Sequence, residues 1–120
     1  MISKDLRKLT QGEKLWLWRR SHAWGGGSRG LTQFQAAVCW KMPVKRYWEC
    51  ETDRVAWAGG KFSCSPKVGD LCALARRRSG LTLRKVARLL HISHVTVLAW
   101  EKYNEIKLVQ GWKRMGWRFP

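Results

Sequence analysis

A chain of 120 residues with 24 Lys and Arg against 8 Asp and Glu carries a formal net charge of +16. This surplus predicts a polyanionic partner, either a nucleic acid or an anionic surface. The less favoured alternative is a merely solubilising surface, for which balanced charges would serve equally well. The composition, 45% hydrophobic and 12% aromatic, is typical of a globular chain with a packed core.

Several classes of protein are not supported by the sequence. No run approaches the ~18 apolar residues of a membrane span, and the polar N-terminus lacks the apolar region of a secretory signal. No Gly-rich phosphate loop, H-E-x-x-H or G-x-S-x-G motif is present, so we expect neither an enzyme nor a cofactor. The spacings of Cys39, Cys50, Cys64 and Cys72 match no zinc pattern, so we predict reduced thiols, mostly in the core, rather than a metal site.

The first predicted helix begins at a capping box, Thr10-Gln11-Gly12-Glu13, and continues to Arg20. Gly25–Ser28 then predicts a loop. The cluster of Gly and Pro at 58–66 predicts the boundary between two halves, with domains at 1–58 and 67–120 joined by a linker at 59–66.

Three further helix starts follow this boundary. Ser65-Pro66 predicts a helix over 67–78, with Gly80 just past its end. Thr82 opens the next helix, and Ser93 caps the last one. No segment alternates at period two for long, so the sequence predicts an all-α fold.

Residues Thr82–Glu101 have the pattern of a helix-turn-helix. Val86 and the small Ala87 face the crossing, and Ile92 fills the space between the two helices. The second helix is expected to bury Val97 and Trp100. Its outward face is then formed by His94, Val95, Leu98 and Ala99.

This segment resembles the phage-repressor (Xre/Cro) helix-turn-helix family. The matching positions are Thr82, Val86, Ala87, Leu90, Ile92, Ser93, Thr96, Val97, Trp100 and Glu101. The resemblance implies that the second helix enters the major groove of DNA and reads base edges. The candidate DNA-binding residues of this unit are Arg84, Ser93, His94, Val95, Thr96 and Ala99. An αα-hairpin used only for packing is the alternative.

The outward face departs from the family, whose members usually carry polar base-reading residues there. His94 and Thr96 are the only polar candidates, and apolar groups contact thymine methyls with weak discrimination. We therefore expect this unit to position the protein more than it reads the sequence, or its face to pack partly on protein.

A comparison of the chain with itself, shifted by 50 residues, predicts a second, degenerate copy. Gly30-Leu31-Thr32 aligns with Gly80-Leu81-Thr82, and Glu51 aligns with Glu101. The fold prediction is therefore tandem helix-turn-helix units, each a small bundle of short helices. One helix-turn-helix beside an unrelated helical domain is the alternative.

The candidate residues of the N-terminal copy are Gln33, Val44, Lys45, Arg46, Trp48 and Glu49. Lys45 and Arg46 suit guanine or phosphate, and Glu49 suits cytosine. The family resemblance gives Gln33 a role in fixing its helix against the phosphate backbone. A solvated basic face is the alternative for Lys45 and Arg46.

Two further basic regions are candidates for nucleic-acid contact. Arg76, Arg77, Arg78, Arg84, Lys85 and Arg88 are predicted phosphate contacts. In residues 107–120, Trp112, Trp117 and Phe119 alternate with Lys113, Arg114 and Arg118. Of two roles for this stretch, closing the core is favoured over stacking on exposed bases.

The residues predict a protein that binds double-stranded DNA with sequence specificity, and the family resemblance implies a transcriptional regulator, namely a repressor of phage or mobile-element type. An architectural nucleoprotein and an RNA- or single-strand-binding protein are the alternatives. We expect a cytoplasmic, DNA-associated protein with no membrane partner. It would act either as a homodimer or as an intramolecular pseudo-dimer, whose two recognition helices would lie about 34 Å apart on one turn of DNA.

Overall fold

The computed structural model describes residues 2–22, 30–64 and 66–120, and their regular secondary structure consists of seven helices. These are α1 (Gln11–Ser21), α2 (Gln33–Cys39), α3 (Val44–Glu51), α4 (Val68–Ser79), α5 (Leu83–Leu90), α6 (His94–Lys102) and α7 (Ile106–Arg114). The predicted all-α fold is confirmed. The predicted loop at Gly25–Ser28 lies outside the described residues.

Polar caps fix most of the helix starts that were predicted. Thr10 accepts a hydrogen bond from the amide of Glu13, whose carboxylate accepts one from the amide of Thr10. The hydroxyls of Thr82 and Ser93 cap α5 and α6 by accepting hydrogen bonds from the amides of Lys85 and Thr96. The predicted N-cap of α4, Ser65, is wrong by two residues, since Lys67 is the N-cap, and the helix begins at Val68, one residue after the predicted start. Ser65 itself is outside the described residues.

The chain divides into two compact units, residues 9–66 and residues 2–8 with 67–120. We call them the N-terminal and C-terminal units. These boundaries differ from the predicted ones at both ends of the N-terminal half. Residues 2–8 belong with the C-terminal unit, and the segment predicted as a linker at 59–66 belongs to the N-terminal unit, where Phe62 packs on the core.

Each unit holds its helices together through an arginine and a buried glutamate. In the N-terminal unit, Nε of Arg19 on α1 donates to Oε2 of Glu51 on α3 at 2.9 Å. In the C-terminal unit, Nε of Arg76 on α4 donates to Oε2 of Glu101 on α6 at 3.0 Å. A second guanidinium nitrogen of each arginine bonds the other carboxylate oxygen, so both pairs are bidentate.

The first helix of each unit, α1 or α4, also contacts the residues just after α3 or α6, respectively. The amide of Gly12 donates to Asp53, and the amide of Gly69 donates to Asn104. Cβ atoms at these glycines would collide with the carbonyl oxygens of Glu51 and Glu101, respectively. Two stretches with little sequence similarity therefore form the same close contact between helices, which supports an internal structural repeat.

The register of the repeat locates a length difference between the units. Arg19 and Arg76 are 57 positions apart, whereas Glu51 and Glu101 are 50 apart. The N-terminal unit thus has seven more residues than the C-terminal unit between its paired arginine and its second helix. Gly25–Ser28, where a loop was predicted, lies within this interval of the sequence.

The core of the N-terminal unit is small and strongly aromatic. Leu15, Leu31, Ala36, Ala37, Tyr47 and Cys50 form the buried cluster. Trp40 packs edge-on against Trp57 and Phe62, with ring centroids 5.0 and 6.0 Å apart. Burial, together with the charge of Glu51, raises the pKa of Tyr47, so its phenol stays neutral within the core.

The C-terminal unit buries most of α4 and closes with α7. Leu71, Cys72, Ala73, Leu74 and Ala75 of α4 are all buried. Trp112 and Trp117 are also buried and meet edge-on at 5.5 Å. Arg78 donates to the carbonyl oxygens of Ser3, Asp5 and Lys8, which fastens residues 2–8 to this unit.

The four cysteines are free and divide between core and surface. Cys50 and Cys72 are buried, Cys64 is half-buried and Cys39 is exposed, so the prediction of mostly core thiols holds for two of the four. Burial, and then the charge of Glu101, raises the pKa of Cys72 to about 12, which leaves this thiol uncharged at neutral pH. None of the described helices is long and apolar enough to cross a membrane.

The Arg76–Glu101 pair generates a stability prediction. Glu101→Gln leaves a mostly buried guanidinium without its counter-charge, and we expect the free energy of unfolding to fall by about 2 kcal/mol in urea titrations followed by circular dichroism. This is below the ~3–5 kcal/mol of a fully buried pair because part of Arg76 reaches solvent. The double variant Arg76→Met, Glu101→Leu should recover most of the loss, since it leaves no unpaired charge. A neutral Glu101→Gln would contradict the structural role of the pair.

Candidate nucleic-acid interface

The turns between the paired helices have the same backbone geometry in both units. Lys41 follows α2 with φ of 55°, and His91 follows α5 with φ of 57°, both in the left-handed region. The amide of the next residue donates a hydrogen bond to a carbonyl of the preceding helix. Met42 N donates to the carbonyl of Ala37, and Ile92 N donates to that of Ala87, each at 3.0 Å. The same tight turn therefore precedes α3 in one unit and α6 in the other.

In the C-terminal unit, one side of the N-terminal half of α6 is exposed, as is Lys102 at its C-terminal end. His94, Val95 and Leu98 are exposed, as predicted. Thr96 and Ala99 are only half-buried, so they lie at the edge of this surface. The Thr96 hydroxyl is 2.7 Å from the Ser93 hydroxyl, so these two candidate polar groups are already joined to each other.

The underside of α6 is less buried than the sequence indicated. Val97 is fully buried, as predicted, whereas Trp100 is only half-buried, so the prediction for Trp100 is wrong. The reason is that Glu101 takes the buried position next to it and faces Arg76. Glu101 and Val97, four residues apart, thus form the buried side of α6, and Trp100 lies at its edge.

In the N-terminal unit, α3 exposes the basic residues that were predicted. Val44, Lys45 and Arg46 are exposed, and Pro43 is the N-cap of the helix. Trp48 and Glu49, which were also predicted to face outward, are half-buried and lie at the edge of this surface. The Arg54 guanidinium carbon lies 4.6 Å from the Trp48 ring centroid, which covers the indole with a cation.

The two candidates at the start of the first helix of each pair differ in their surroundings. Gln33 is half-buried and donates from Nε2 to Oε1 of Glu51 at 3.3 Å. One of its two amide protons is therefore used within the protein. Arg84 lies one residue after the position in the C-terminal unit that is equivalent to Gln33, and it is exposed on α5. Its role as a phosphate contact stays a prediction.

The basic cluster around α4 and α5 divides into structural and exposed members. Arg76 is paired with Glu101, and Arg78 is held by three backbone carbonyls, so the prediction that these two side chains contact phosphate is not supported by their positions. Arg84, Lys85 and Arg88 are exposed along α5. Exposed cations on the first helix of a pair can contact the DNA backbone while the second helix lies in the groove.

The C-terminal aromatic stretch closes the core of its unit. Trp112 and Trp117 are buried and Phe119 is half-buried, so these rings have little face left for stacking on bases. Lys113, Arg114 and Arg118 are exposed at the surface. This arrangement bears out the closing role that was favoured for the segment.

Most acidic side chains of the described residues are hydrogen-bonded within the protein, and Glu13, Glu51 and Glu101 are also buried. Seven of the eight accept a hydrogen bond from the protein: Asp5, Glu13, Glu51, Asp53, Asp70, Glu101 and Glu105. The eighth, Glu49, is half-buried on α3. The carboxylates serve as caps and ion pairs, so the uncompensated charge at the surface is positive.

Sequence patterns missed several residues that position this interface. Arg19, Arg54 and Asp53 act over long sequence separations and belong to no local motif. The alignment of Glu51 with Glu101 in the 50-residue repeat was a signal for the paired glutamates. Two charged residues at equivalent ends of a repeat indicate a shared structural partner.

Among the described residues, no group of three or more His, Cys, Asp or Glu side chains is placed to hold a metal ion. Comparisons with protein-family models, with curated proteins and with solved structures find no match to this chain.

Proposed function

We propose that this chain is a sequence-specific double-stranded DNA-binding transcriptional regulator that inserts α3 and α6 into the major groove. The observation that carries the proposal is the exposed N-terminal half of each second helix, on a surface whose carboxylates are nearly all engaged. In helix-turn-helix proteins, these N-terminal residues are the ones that contact base edges. The resemblance of Thr82–Glu101 to phage repressors favours repression, by occupation of an operator.

The charge of each unit supports a duplex as the ligand. α3 brings Lys45 and Arg46 to its exposed end, and α5 carries Arg84, Lys85 and Arg88 beside α6. Arginine and lysine bind guanine O6 and N7, and they bind phosphate oxygens at any sequence. Both direct readout and backbone contact are therefore available in one chain.

The two presented helices differ in chemistry, which favours an asymmetric site. Positions related by the 50-residue repeat carry Lys45 and Val95, then Arg46 and Thr96. A single chain acting as an intramolecular pseudo-dimer would then bind two unlike half-sites. A homodimer would instead require a palindrome, in keeping with two-fold symmetry.

Selection of bound duplexes from a random pool tests this function. We expect one enriched site with two unlike halves, bound by one chain. Random duplex, single-stranded DNA and RNA should compete poorly, at both about 50 and about 200 mM salt. No enrichment, or tighter binding of RNA, would contradict sequence-specific DNA binding. A strictly symmetric site bound by two chains would contradict the pseudo-dimer alone.

Variants on the selected duplex test which surface makes the contact. Arg46→Ala should weaken binding about tenfold and relax the base preference at one position, as expected for loss of a guanine contact. Arg84→Ala should weaken all duplexes alike and reduce the slope of log affinity against log salt by about 1.

Arg114→Ala is the matched control for both variants, because it removes the same charge from an exposed position on α7. It should change affinity little. If Arg114→Ala weakened binding more than Arg46→Ala, the C-terminal segment rather than α3 would be the interface.

A further inference from the structure

An apolar strip occupies the exposed side of α6. Val95 is 62% exposed and Leu98 is 53% exposed, and residues three apart lie on the same side of a helix. Ala99 borders them and is half-buried. The Thr96 hydroxyl beside the strip is hydrogen-bonded to the Ser93 hydroxyl, and the exposed His94 lies at its N-terminal end.

The surroundings of this strip are strongly cationic. Between Thr82 and Lys102 the only acidic residue is Glu101, which is buried and paired with Arg76. The exposed charges over the same interval are all positive: Arg84, Lys85, Arg88 and Lys102. An apolar strip beside cations and without exposed carboxylates is complementary to a polyanion that also offers apolar groups.

The major groove of DNA has one such apolar group, the C5 methyl of thymine. We propose that Val95 and Leu98 bind thymine methyl groups, so that the C-terminal unit selects a thymine-containing half-site. This inference rests on the proposed function and names the ligand of one of its two helices. The N-terminal unit carries Lys45 and Trp48 at the equivalent positions and does not present this strip.

The proposal gives the two units different roles in DNA recognition. Methyl contacts give modest discrimination, because they distinguish thymine from the other bases mainly by burial of one methyl group. The cations of α5 add affinity at any sequence. The C-terminal unit would therefore bind broadly to thymine-containing duplex, and the N-terminal unit would supply the stricter, hydrogen-bonded recognition.

Replacement of single thymidines by deoxyuridine in the selected duplex tests the methyl contacts, because uracil keeps every hydrogen-bonding group and lacks only the methyl. Affinity measured by fluorescence anisotropy should fall about fourfold at one or two positions, the effect of losing one buried methyl. Leu98→Ala and Val95→Ala should weaken binding to the thymidine duplex and reduce its sensitivity to those replacements.

Two control variants keep the comparison specific. Leu89→Ala truncates a leucine on α5 that is equally exposed, at 55%, and it should keep the full sensitivity to deoxyuridine. Arg46→Ala should lose affinity and yet keep the same sensitivity. Each of these substitutions is at an exposed position, and circular dichroism would verify that the helices are retained.

The outcomes distinguish this inference from the function on which it rests. A selected site in which every thymidine tolerates deoxyuridine, or one that stays fully sensitive in both Val95→Ala and Leu98→Ala, would overturn the methyl contacts and leave DNA binding intact. A selected site without thymine in either half would overturn them as well. Failure to select any duplex would overturn both proposals.

Discussion

The buried carboxylates of Glu51 and Glu101 are the constraint on which both units depend. Each lies at the end of a second helix, only 1% and 4% exposed, and each is neutralised by an arginine from the first helix of its unit. A buried charge that lost its partner would be costly, so the pair fixes where the C-terminal end of the second helix lies. One side of the N-terminal half of that helix is exposed in both units, at Val44, Lys45 and Arg46 on α3 and at His94, Val95 and Leu98 on α6.

The same scaffold presents two different surfaces. In the C-terminal unit the exposed cations lie mainly on α5 and α6 exposes Val95 and Leu98, whereas in the N-terminal unit α3 carries exposed cations and α2 exposes Phe34 and Val38. The Arg–Glu pair, the tight turn and the glycine contact recur in both units, whereas the exposed residues of their paired helices differ. Binding to two unlike half-sites would require this combination, in which the exposed residues differ and the contacts that hold the helices together are kept.

Local sequence signals predicted local structure well. Caps at Thr10, Thr82 and Ser93 are visible in the sequence because their partners lie three residues away. The Arg–Glu pairs span 32 and 25 positions and could not be predicted from periodicity. For the same reason all basic residues near α4 looked alike in the sequence, although two of the arginines are structural. Half-burial of side chains on α3 was also missed, because it depends on the chain after the helix.

The central claim is that the exposed N-terminal halves of α3 and α6 bind DNA while the Arg–Glu pairs hold their other ends. NMR titration of the full chain with its selected duplex tests this most directly. The account predicts that amide shifts concentrate at residues 44–48 and 94–98, with small changes around Glu51, Glu101 and α7. Shifts concentrated at residues 107–120, with α3 and α6 unaffected, would contradict it.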